Sequence, residues 1–268
     1  MRRALFACLG SLASILIGVA AGSARAEDRL STPASSSIAV IAPYVSRIGD
    51  ALPPPAREAL ARISGDGRKL LAARSYLRAG PDLAARWSWS DDRIALYRDS
   101  DEARAARAEV EGVRARFAEQ NPGFELSVRS EVRSLDEQIA KWNESASVAR
   151  AADVLVRDAV AEFARAPVVG SANAAEVARF ARWLESWRPA ASPTLAAPGL
   201  SAHGRGRAFD FQIREGTRIV AAADSSQIER VWDGEGWTER LAAAVAKTEH
   251  FRGPLESPRE PWHYDYAP

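Results

Sequence analysis

The sequence predicts an α+β protein in which an N-terminal helical segment precedes a domain with a small sheet. Two observations carry this. Apolar residues recur at three- and four-residue spacing through residues 55 to 78 and 101 to 119, and further helical stretches follow Ser134. Strict apolar/polar alternation is confined to short stretches late in the chain, above all "AFDFQI" and "PWHYDY". A chain of 268 residues that is 47% hydrophobic and 26% charged has ordinary globular composition, which excludes a disordered or fibrous protein.

The first stretch, "MRRALFACLGSLASILIGVAAGSARAED", has Arg2 and Arg3, then an apolar run, then Ala24-Arg25-Ala26 as a small-x-small cleavage site. Residues 1 to 26 therefore read as a secretory signal peptide, with an uncleaved membrane anchor as the rival. Removing Arg2, Arg3 and Arg25 leaves 33 Lys+Arg against 35 Asp+Glu, a net charge of −2. That balance offers no basic field for nucleic acid. The single cysteine, Cys8, leaves with the segment, so the exported domain uses no disulfide and its simplest compartment is a bacterial periplasm.

Residues 27 to 40 are small, polar and Ser-rich, which predicts a flexible leader. In the helix over 101 to 119, Ser100 or Asp101 supplies the N-cap, acids occupy the first turn, and Asn121-Pro122-Gly123 ends it. Its alternating charges read as a solvated face. "FELSV", residues 124 to 128, reads as a short strand. Ser134 and Glu137 then form a Ser-x-x-Glu capping box, which puts Arg133 just outside a helix N-terminus. Helices follow over 147 to 165 and 173 to 187, and the proline-rich "RPAASPTLAAPGL" delivers the chain to Ser201.

In "AFDFQI" the alternation puts Phe209, Phe211 and Ile213 on one face and Asp210 on the other. His203 lies seven residues earlier, and Gly204 and Gly206 let the backbone turn tightly enough to return its imidazole to Asp210. In "PWHYDY", His263 and Asp265 share a face opposite Trp262, Tyr264 and Tyr266, while Pro261 biases Glu260 toward an extended conformation. Two histidines and an aspartate suit Zn2+, with a further carboxylate free to take a proton from water. A His and an Asp seven apart fit equally well a turn histidine beside a capping aspartate.

Ser201-x-His203-x-x-Gly206-x-Ala208-x-Asp210 followed by Glu260-Pro261-Trp262-His263 resembles the double signature of the zinc D-alanyl-D-alanine carboxypeptidases and dipeptidases. These are the vancomycin-resistance type, in the wider group that includes lysostaphin-like enzymes and the hedgehog domain. "VRSLDEQ" is similar to the Arg-Ser-x-x-x-Gln segment that opens the family's catalytic domain, so the likeness covers roughly residues 120 to 268 and leaves 27 to 119 unmatched. The resemblance implies a small, mostly antiparallel sheet with helices on one side and the zinc site on its open face. It implies His203, Asp210 and His263 as zinc ligands and Glu260 as general base. Arg133 would stabilise the oxyanion and Ser201 would contact substrate. The implied substrate is the peptidoglycan stem peptide, hydrolysed next to D-alanine as a carboxypeptidase. A cross-link endopeptidase and a non-catalytic zinc-containing cell-wall binding protein are the alternatives.

The remaining candidates have structural readings. Trp262 and Tyr264 fit core aromatics better than substrate platforms. His250, after a helix beginning near Thr238, fits a partner of the helix dipole. Arg205 and Arg207 fit either carboxylate ligands or solvent-facing cations.

Overall fold

The computed structural model describes residues 34–128, 132–163 and 173–268, with side chains from residue 41. The expected signal segment, with Cys8, and residues 27–33 of the expected leader lie outside the described residues. From Ala34 onward the leader reading is corrected. α1 spans Ala34–Ala51, because Ile41, Tyr44, Val45 and Ile48 repeat at helical spacing and are all buried. Among the described residues, no helix is long and apolar enough to cross a membrane.

The helix expected over 55 to 78 is two helices, α2 (Pro54–Arg62) and α3 (Asp66–Ala79). Ser64 and Gly65 break it, and the break docks on a later helix. The Asn143 side chain accepts from the Ser64 amide at 2.9 Å, and Arg62 pairs with Asp136 at 2.6 Å. α4 (Leu83–Arg86) and α5 (Asp91–Arg98) lead to α6 (Asp101–Gln120), whose N-cap Ser100 accepts from Ala103 N at 3.1 Å. β1 (Glu125–Val128) follows, then α7 (Leu135–Glu144) with the expected reciprocal box between Ser134 and Glu137. α8 (Ala146–Phe163) and α9 (Ala174–Ser186) complete the helical half, α9 opened by a second box between Asn173 and Glu176.

The protein is α+β with a small antiparallel sheet. Its long central strand β2 (Ala208–Glu215) pairs antiparallel with β1, with β3 (Arg218–Ala221) and with β7 (His263–Tyr266). α10 (Trp237–Val245) lies between, and β4 (Phe251–Arg252) pairs with β7. β5 (Leu255–Glu256) and β6 (Arg259–Glu260) form a separate small hairpin.

Two apolar clusters hold the chain together. One joins α1, α2 and α3 to Trp142, α8 and α9, with Tyr44, Phe163 and Phe180 in ring contact. The other packs α6 and α10 against one face of the sheet through Val113, Phe117, Leu241, Phe209 and Phe211. Each cluster thus draws residues from both sides of position 120. The opposite face of β2 is also buried at Asp210 and Gln212, each 8% exposed.

Candidate metal centre

Strand register builds half of the site. Asp210 on β2 and His263 on β7 are direct cross-strand partners, so both side chains leave the same face of the sheet. The neighbours Phe209, Phe211, Trp262 and Tyr264 point into the apolar layer beneath and anchor both strands. The other half comes from a single 3-10 turn, Ala202–Arg205, which carries His203 and closes at Gly206 with φ +62°. A left-handed residue there reverses the chain into β2 within two residues.

The three side chains converge. His203 Nε2 lies 3.3 Å from His263 Nδ1 and 3.3 Å from Asp210 Oδ2, and His263 Nδ1 lies 2.9 Å from Asp210 Oδ1. All three groups are buried, and together they could hold a metal ion. A tetrahedral ion with nitrogen and oxygen ligands at about 2.0–2.1 Å keeps those ligands roughly 3.3 Å apart, so the spacing fits. The far nitrogen of His263 faces Asp265 Oδ1 at 3.4 Å, the outer carboxylate that commonly orients a metal-binding imidazole. His203 Nδ1 is buried with no such partner among the described residues.

Electrostatics match the donor set. Burial would raise the Asp210 carboxyl, but hydrogen bonds to His203 and His263 outweigh it and hold the group far below the usual carboxylate range. Burial draws the His203 pKa down, against the pull of Asp210. Burial also opposes the charged form of His263, but bonds to Asp210 and Asp265 push that group up to about 9. Glu260, unlike the Asp210 carboxyl, is raised: burial pushes it up to about 7.

The structure brings every expected site residue to one cleft. Glu260 Oε2 stands 3.7 Å from His263 Nδ1, and Arg133 Nη2 stands 3.5 Å from Asp210 Oδ2. Ser201 lines the same cleft, whose volume is about 730 Å³. Lys141, Glu144, residues 193–196, residues 223–225, Leu255 and Pro258 also line it.

The remaining candidates fall outside the chemistry. Trp262 packs on Trp232 and Tyr264 on Phe211, as core aromatics. The reading of His250 as a helix-dipole partner is corrected: α10 ends at Val245, and His250 Nδ1 instead meets Glu109 Oε2 of α6 at 2.9 Å. Arg207 pairs with Glu102 at 2.8 Å, and Arg205 Nη1 reaches Ala85 O at 3.4 Å.

Sequence reading assigned no role to Asp265, although its alternation with His263 places it correctly. Gln138 and Ser88 were also missed as functional positions. Gln138 sits in the "VRSLDEQ" segment, but its partners lie 50 and 61 residues away, and Ser88 carries no local signal at all. Comparisons with family models, curated proteins and solved structures found no match to this chain.

Proposed function

We propose that the protein is an exported zinc metallopeptidase that hydrolyses a peptide bond next to D-alanine in peptidoglycan stem peptides, as a D,D-carboxypeptidase. The observation that carries this reading is the meeting of two imidazoles and a carboxylate, at ligand spacing, with a separate carboxylate and a guanidinium at the same cleft. The sequence likeness to the zinc D-alanyl-D-alanine carboxypeptidases supplies the substrate class.

His203, Asp210 and His263 hold the metal. When bound, a zinc ion supplies Lewis-acid polarisation of a carbonyl and brings the pKa of a water down to about 7. Glu260 has the position and burial of a general base: its carboxylate takes the proton of the attacking water and returns it to the leaving amine. Arg133, with its Nε buried and unpaired, offers N–H donors to the negative charge that develops on the scissile carbonyl oxygen. Ser201, 9% exposed at the cleft wall, contacts the peptide.

A second reading, cleavage of a cross-link within the wall, is favoured by the cleft itself. At about 730 Å³ it is in the upper part of the range for small-molecule sites, about 300–1,000 Å³, a size that suits a substrate longer than a terminal dipeptide. Mass analysis of muropeptides before and after incubation with the zinc-loaded protein decides between them. Loss of one terminal alanine from pentapeptide stems is the expected result, loss of dimers supports the second reading, and unchanged muropeptides overturn both.

A further inference from the structure

Because His203 Nδ1 has no hydrogen-bond partner among the described residues, the direction of this imidazole is set there by its backbone rather than by a group on its far nitrogen. That backbone is held from outside. The amide of Trp89 donates to Gly204 O at 2.9 Å, the amide of Ser88 donates to Gly199 O at 2.8 Å, and the amide of Arg133 donates to His203 O at 3.0 Å. One buried side chain ties these contacts together. Gln138 accepts from the Gly199 amide at 3.0 Å, while its amide group donates to Ser88 Oγ at 2.9 Å and to Arg133 O at 3.0 Å.

The fit allows no slack. A Cβ on Gly204 would meet Ser88 Oγ at 2.1 Å and Gln138 Nε2 at 2.6 Å, so glycine is required there for the approach of Ser88. Tyr76 adds a further tie, its hydroxyl donating to Pro198 O at 2.7 Å. Ser88 and Tyr76 belong to the helical segment that shares no likeness with the carboxypeptidases. Ser88 and Gln138 are 7% and 6% exposed, a depth at which the large majority of polar side chains have a hydrogen-bond partner.

We infer that Ser88, acting through Gln138 and the Gly199–Gly204 backbone, is a positioning residue for the metal ligand His203 and for Arg133, so that the N-terminal helical segment forms part of the metal site. This rests on the metal reading of His203, Asp210 and His263. Both Ser88 and Gln138 reach the site only through other residues.

The test is zinc affinity, measured by chelator competition on the full-length protein, with thermal unfolding of the metal-free forms alongside. Ser88→Ala and Gly204→Ala are each expected to weaken zinc binding about 10-fold or more, the usual effect of removing an outer support of a ligand. Ser88→Gly combined with Gly204→Ala is expected to bind zinc more tightly than Gly204→Ala alone, because it removes both Ser88 atoms that the new methyl would strike and leaves only Gln138 Nε2 in its way. If Gly204→Ala does not fold, Ser88→Ala alone carries the test. Wild-type protein that takes up no zinc overturns the metal reading, and this inference with it. Wild-type protein that binds zinc, with a Ser88→Ala form that binds it equally tightly, overturns this inference alone.

Discussion

Asp210 and His263 face each other directly across an antiparallel strand pair, with Asp210 Oδ1 2.9 Å from His263 Nδ1. A cross-strand pair is fixed by the same register that buries Phe209, Phe211, Trp262 and Tyr264, so the donor pair is as rigid as the sheet beneath it. His263→Ala leaves two donors, which hold zinc poorly. Metal analysis after dialysis is expected to show near-stoichiometric zinc in the wild type and little in the variant. Equal zinc in both would remove His263 from the ligand set.

Glu260→Gln separates a base from a ligand. The amide keeps the shape and hydrogen-bonding capacity of the carboxylate but accepts no proton, so zinc content should stay at the wild-type level while muropeptide turnover falls about 10²-fold or more. Full turnover in this variant would reduce Glu260 to a cleft-wall residue.

Arg133 lies beside the donors without belonging to them. Arg133→Ala is expected to keep zinc and lose about 2.7–4 kcal/mol of transition-state stabilisation, the size of one oxyanion donor, read as a fall in kcat with little change in zinc content. Loss of zinc and activity together would give Arg133 a structural role through Asp210 instead.

Phe180 is fully buried, with ring centroids 4.7 Å from Tyr44 and 4.8 Å from Phe163. Phe180→Ala should cost about 3–5 kcal/mol of stability, seen in denaturant unfolding. A loss below about 1 kcal/mol would mean that the helical cluster relaxes around the cavity.

What was legible in the sequence was local. The Ser134–Glu137 capping box spans three residues, and the alternations around Asp210 and His263 declare their faces within each strand. The metal donors could be read because two short motifs carry them. α1 was missed because Ser35, Ser36 and Ser37 outweighed the Ile41–Ile48 repeat that follows. His250 was assigned to the wrong partner because Glu109 is 141 residues away in sequence. The hold of Ser88 and Gln138 on the His203 turn is likewise a contact between distant segments, and no spacing rule encodes it.

The interleaving of the two apolar clusters bears on the order in which the chain can fold. α1 and α3 pack on each other and on α2, but α8 and α9 cover much of the rest of their buried surface, so this cluster is completed only once the chain has grown beyond Ser186. Contacts of such sequence separation close slowly, since loop entropy opposes them before burial rewards them. The His203 turn, bonded to the amides of Trp89 and Arg133, likewise depends on the meeting of segments that are far apart in the sequence.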